Sequence, residues 1–252
     1  MLRDQLLDRQ TNTEQVDGFR WRGTDVTRLE GFTDAVLGFA ITLLVVSLDV
    51  PDSFDELLRA LRGFVPFGLC FAYLVFLWYQ HYLYFRRYGL NTTFILYCNT
   101  ALLFVILMYV YPLKFLATYL LDGLIGLSTP DPQNGALSPP LVADNQLHTL
   151  MIVYGLGFVA VRGMFLILYL YAYRQRGKLE LNALERFDTL TSIGDNVINV
   201  AVGCLSVVIA FVGGPSAATL AGWTYLLLFP LLAASAKFAG RRRRRYMAAV
   251  SA

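Results

Sequence analysis

Histidine and cysteine are scarce in this chain, with two and three copies in 252 residues. Cys70, Cys98 and Cys204 fall one to each of three different apolar runs. That scatter excludes a disulfide framework and a thiolate metal cluster, and leaves them as small apolar fillers. The two histidines, His81 and His148, lie at opposite depths of their runs, too far apart to share a metal. There is no phosphate-cradling Walker sequence, no H-E-x-x-H and no G-x-S-x-G. A T-V-G-Y-G-like carbonyl filter loop is also missing. These absences argue against an enzyme, and no metal or cofactor is expected. Charge is low as well, at 15% of residues.

What fills the chain instead is apolar and aromatic: 56% hydrophobic residues and 14% Phe, Trp and Tyr. A helix needs about 20 apolar residues to cross the hydrocarbon core of a bilayer. Six runs approach or exceed that length: 32–50, 64–84, 94–121, 147–173, 193–212 and 217–238. Each is bounded by charge, Pro or Gly. The reading is an all-α polytopic membrane protein with six transmembrane helices, since backbone polar groups in lipid must be satisfied within the helix. The first run follows some thirty polar and charged residues and has no small-residue cleavage site after it, unlike a signal peptide.

The net charge of +3 conceals an alternation. Arg3, Arg9, Arg20, Arg22 and Arg28 precede the first run, and Arg86 and Arg87 follow the second. Arg174, Arg176, Lys178 and Arg186 separate the fourth from the fifth, and Lys237 with Arg241 to Arg245 closes the chain. The connection 122–146 carries no Lys or Arg, and its "STPDPQNGALSPP" reads as an irregular loop. The positive-inside rule then places both termini in the cytoplasm of a cell-membrane protein. The expected organisation is a cytoplasmic segment 1–27, a membrane domain 28–240 and a basic tail 241–252. "RRRRR" has two readings, a nucleic-acid or anionic-lipid patch and a topology anchor. Its position directly after a span favours the anchor, so no nucleic-acid partner is expected.

Polar residues inside spans carry the information. By depth, Asp34 in the first run, His81 in the second and Asn99 in the third fall in one layer near the cytoplasmic surface, with Arg28 just before Asp34. Trp78 lies one turn from His81. This set either locks helices together, as polar networks do in membranes, or serves function directly. On a wheel of about 100° per residue, Phe32, Ala35, Leu43 and Val46 lie within about 40° of Phe39, Thr42 lies about 60° away, and Asp34 about 140° away. The first helix thus has an apolar stripe with a hydroxyl at its edge and a carboxylate behind it. Arg162, in the fourth run, has Asp195 and Asn199 as its nearest partners by depth. A helix-pairing contact is the favoured reading over an ion-path charge.

The run Arg28 to Asp34, "RLEGFTD", resembles the R-x-x-x-F-S-D signature that opens the first helix of the transmembrane protein 175 family of potassium channels. "GFAITLLVV" and Pro51, "WYQHYLYFRR" at 78–87, Asn99 and Pro112 are similar to the corresponding parts of that family. The resemblance covers roughly 28–115. It implies a homotetramer with first helices around a central pore, and a filter of large side chains at Phe39, Thr42, Leu43 and Val46. It also implies a supporting network of Arg28, Phe32, Thr33, Asp34, Trp78, His81 and Asn99. Thr33 stands where Ser is usual, and Phe39 where Ile or Leu is usual. The family's acidic residue near the helix end is displaced, with Ser47 in place and Asp49 two later.

The function expected is therefore a potassium-permeable channel in the bilayer, gated by wetting of an apolar ring. Asp49 and Asp52, with Asp55 and Glu56, would concentrate cations at the outer mouth, or would simply be solvated surface acids. The alternative is a secondary transporter or a non-conducting scaffold. Transporters break helices at mid-membrane glycines, and "YGLGF" beside Arg162 offers such a place.

Overall fold

The computed structural model describes residues 15–16, 19–46, 53–125, 142–143 and 145–250. Its elements are a two-residue antiparallel pairing of β1 (Gln15–Val16) with β2 (Phe19–Arg20), followed by helices. These are α1 (Arg28–Val46), α2 (Phe54–Tyr88), α3 (Thr93–Ile125), α4 (Leu147–Arg174), α5 (Ala183–Gly213), α6 (Ala218–Trp223) and α7 (Leu228–Val250). Among the described residues, four stretches are long and apolar enough to cross a membrane: Phe64–Tyr88, Thr93–Val110, Leu147–Arg174 and Ala183–Arg244. The last is 62 residues long and contains both the fifth and the sixth expected spans. With the 19 residues of α1, about 28 Å of helix at 1.5 Å each, the chain is an all-α polytopic membrane protein.

Helices α2 to α5 all exceed the hydrocarbon core of a bilayer, α2 and α3 the most. Helix α2 has 35 residues and α3 has 33, each about 50 Å long, against a hydrocarbon core of about 30 Å. Pro66 and Pro112 lie within them. The Pro112 carbonyl accepts a hydrogen bond from the Tyr154 hydroxyl of α4.

The sixth expected span, 217–238, runs through the short α6 and a 3₁₀ stretch at Thr224–Leu227 into α7, with right-handed helical backbone at Trp223, Thr224 and Leu228. The turn between the fifth and sixth spans lies at Gly213 and Gly214, followed by a 3₁₀ turn at Gly214–Ala217, with Gly214 at φ +58°. Helix α7 returns along α5. Ser235 donates to Asp195 at 2.6 Å, and Arg243 sits 3.7 Å from Asp188. The basic run 241–245 therefore lies on α7, with the Arg242 guanidinium over the Phe187 ring.

Packing between α4 and α5 is the most extensive in the molecule, and small residues make it possible. Gly155 of α4 receives Val207, and Gly203 of α5 receives Phe158 and Val159. Gly157 seats the ring of Tyr109 from α3. The "YGLGF" segment is thus a packing surface on an unbroken helix, not an unwound site.

Near the α2 C-terminus an aromatic cluster takes over. Tyr84, Phe85, Tyr88, Phe19 and Tyr169 are all buried. Tyr84 donates to the Leu168 carbonyl at 3.0 Å, and the Tyr88 and Thr189 hydroxyls meet at 2.8 Å. Polar tips are satisfied while the rings pack edge to face.

Candidate functional site

Helix α1 begins with a reciprocal cap. The Thr27 hydroxyl accepts from the Glu30 amide at 3.2 Å, and the Glu30 carboxylate accepts from the Thr27 amide at 2.8 Å. The other Glu30 oxygen receives Arg86 at 2.7 Å. Both side chains are buried, so this is a desolvated pair that requires further hydrogen bonds. Arg86 supplies them by donating to the carbonyls of Gly23 and Thr24. In return, the amides of Arg22 and Gly23 donate to the Arg86 carbonyl near the end of α2. Gly89 ends that helix at φ +57°, with the Arg22 backbone where a Cβ would stand.

Helix α5 starts with the same device. Asn182 and Glu185 form a capping box. Glu185 also accepts from the Arg20 amide at 2.9 Å and from Arg22 at 2.7 and 3.2 Å. Residues 19–27 are thus fastened to the starts of α1 and α5 and to the end of α2. Sequence reasoning used these cations only to count topology and missed their partners. The signals were present as T-x-x-E at 27–30 and N-x-x-E at 182–185.

Above this foot lie the polar residues expected from depth. Thr33, His81 and Asn99 are buried and joined. Asn99 Nδ2 donates to Thr33 Oγ1 at 2.8 Å, and Thr33 donates to the Leu29 carbonyl at 2.9 Å. That leaves Asn99 Oδ1 as the acceptor for His81, 2.7 Å away, so His81 Nε2 carries the proton. Asp34 belongs to a separate branch, where Trp78 Nε1 donates to it at 2.8 Å. Arg28 and Phe32 are exposed and stand apart from both branches. The cation paired in this layer is Arg86.

The buried face of α1 reads Leu29, Thr33, Leu37, Ala40 and Leu44, spaced four, four, three and four. On the wheel those five centre about 120° from Phe39. Phe39 is 61% exposed, Phe32 55% and Leu43 50%, while Thr42 is exposed and donates to the Gly38 carbonyl at 2.7 Å. The Val46 side chain, Asp49 and Asp52, and the side chains of Asp55 and Glu56 lie outside the described residues.

Arg162 differs from its expected setting. It is buried on α4 and donates to Gln80 of α2 at 2.9 Å, not to Asp195 or Asn199. Its guanidinium lies over the rings of Phe76 and Phe158, at 5.3 and 5.7 Å. It therefore ties α4 to α2, the helix-pairing role, through a partner that depth alone did not select.

Comparison with known proteins agrees with this architecture. The sequence profile described as "Endosomal/lysosomal potassium channel TMEM175" matches residues 28–109, which span α1, α2 and most of the membrane part of α3. A protein of Marivirga tractuosa named "Potassium channel" is 38% identical over 236 residues, covering 91% of this chain and 94% of its own. A crystal structure of a variant of the potassium channel MtTMEM175, bound to a nanobody–MBP fusion, aligns with TM-score 0.76 and 37% identity. That alignment covers 88% of this chain and 97% of the other. A lysosomal potassium-selective channel homologue from Chamaesiphon minutus shares the fold, with TM-score 0.52 at 20% identity over 84% and 96% of the two chains. With a relative this similar over nearly its whole length, the chain belongs to the TMEM175 family of potassium channels, a family of channels and not of enzymes.

Proposed function

We propose that this protein is a homotetrameric, potassium-permeable cation channel of the cell membrane, with four copies of α1 around its axis and both termini in the cytoplasm. The observation that carries the reading is the two-sidedness of α1 together with the polar support behind it, Thr33 with Asn99 and Asp34 with Trp78. One face is packed into the subunit, and the other leaves Phe32, Phe39, Thr42 and Leu43 open in a single chain. Membership in a potassium channel family gives that open face a purpose.

In this reading the constriction is an apolar ring of Phe39 and Leu43, continued by Val46, with the Thr42 hydroxyl beside it. Ions pass when the ring wets. Thr33, Asn99 and His81 on one side, and Asp34 with Trp78 on the other, hold α1 at a fixed rotation so that the stripe faces the axis. The foot of Glu30 and Arg86 fixes its height. Asp49 and Asp52 enrich cations at the outer mouth. Potassium is the permeant ion, and no cofactor takes part. The transporter alternative loses its main support because α4 runs unbroken through Gly155 and Gly157.

The test is ion flux into liposomes containing purified protein, with potassium, sodium and caesium compared. Replacing Phe39 by Asn places an amide where the ring must wet. The expected result is a potassium flux in the native protein that rises at least tenfold in Phe39→Asn. No flux in either protein with any of the three ions overturns the channel reading.

A further inference from the structure

Away from α1, a cavity of about 770 Å³ opens between α2, α3, α4 and the segment around α6. Its volume falls in the range of about 300–1,000 Å³ typical of small-molecule sites. Leu113, Leu116, Met151, Trp223 and Leu226 supply most of an apolar wall, together with aromatic ring faces. The wall is predominantly apolar, so an apolar guest makes more contacts there than water does.

The surroundings decide the guest. Met151 and Phe158 belong to one stretch long and apolar enough to cross a membrane, and Trp223 and Leu226 to another, so the cavity is built between such stretches. Beside it, Leu220, Trp223, Leu226 and Phe229 are exposed and bulky, an apolar surface of the kind that meets lipid. Where such a surface borders the bilayer, what reaches the mouth is hydrocarbon. Two wall residues, Tyr73 and Tyr225, have buried hydroxyls without a hydrogen-bond partner among the described residues, which leaves room for a polar atom of the guest.

We propose that this cavity is a lipid site within each subunit and holds an acyl chain of a bilayer lipid. The α6 segment and the 3₁₀ stretch after it form one wall. Gly222 keeps that wall open, since a Cβ there would meet only Met151 sulfur, at an ordinary 3.7 Å. A larger side chain at 222 would enter the cavity without displacing backbone.

The experiment uses the full-length protein in lipid nanodiscs doped with a phospholipid bearing a diazirine in its acyl chain. After illumination, adducts are mapped by peptide mass spectrometry on residues 151–158 and 218–226. The exposed α5 face at Val208, Phe211 and Val212 serves as the internal reference for bulk lipid. Cavity peptides are expected to carry at least fivefold more adduct than the reference. Gly222→Leu is expected to abolish that excess while the reference stays constant, and Thr219→Phe, from a second wall position, to do the same. Cavity labelling at or below the reference, or an excess that both variants leave intact, overturns the proposal. An empty cavity, one filled by another part of the chain, or one that takes only soluble compounds would each give the first of these results.

Discussion

Helices α1 and α5 start alike and are then used differently. Each opens with a capping box whose glutamate grips an arginine from elsewhere in the chain, Glu30 with Arg86 and Glu185 with Arg22. Beyond that foot, α5 packs with small and polar residues: Asn196, Asn199, Gly203, Ser206 and Ala210 are all buried, with Gly203 against Phe158 and Val159 of α4 and Ser206 donating to the Ala221 carbonyl of α6. Helix α1 instead packs with larger aliphatic residues and a single hydroxyl, Thr33. Both helices also expose bulky apolar side chains, with Phe211 of α5 77% exposed and Phe39 61%. Exposure in one chain therefore does not distinguish an axis from a lipid boundary. What distinguishes α1 is the polar support behind it, the hydroxyl of Thr42 within its open face, and its place in the stretch that matches the channel family.

The feet carry the largest expected effects. Glu30→Ala strands a buried Arg86, and Glu185→Ala strands Arg22, so each should lose about 3–5 kcal/mol of stability in detergent unfolding. Losses under 1 kcal/mol in either would separate the two feet and break the parallel. Next come the packed faces. Leu37→Ala on α1 should cost about 2–4 kcal/mol through cavity formation, while Gly203→Leu should cost about 1–3 kcal/mol by overfilling the α4–α5 seam. If Gly203→Leu proves neutral, the seam is looser than its geometry. The smallest effect belongs to the polar support. Asn99→Ala should cost about 1–2 kcal/mol, in keeping with interhelical hydrogen bonds in membranes, and should lower ion discrimination in the liposome assay. Unchanged discrimination would leave the network with a purely structural role.

Much of this was legible in the sequence. Run lengths predicted the helices, and depth alone drew Asp34, His81 and Asn99 into one layer from three separate runs. The wheel set Phe39 and Leu43 on one apolar stripe with Asp34 behind it, and the structure leaves both side chains open, with Asp34 exposed as well. The split between the Asp34–Trp78 contact and the Thr33–Asn99–His81 chain was not legible, because it depends on rotation about each helix axis. For the same reason Arg162 found Gln80 instead of Asp195 or Asn199. The foot was missed because its arginines were read as charges facing the cytoplasm. In fact Arg86 and Glu30 are buried, and they are joined through a cap visible only when T-x-x-E is read as local structure. The 3₁₀ stretch at Thr224–Leu227 was invisible to hydropathy, since tightening a helix of apolar residues leaves the average unchanged.

The central claim is that α1, and not α5, lies on the symmetry axis. Single cysteines at Phe39 and at Phe211, in a background with Cys70, Cys98 and Cys204 replaced by Ala, test it directly. Under mild oxidation in membranes, Phe39→Cys should yield disulfide-linked dimers of the chain and Phe211→Cys should stay monomeric. Dimers from Phe211→Cys, with none from Phe39→Cys, would contradict the account.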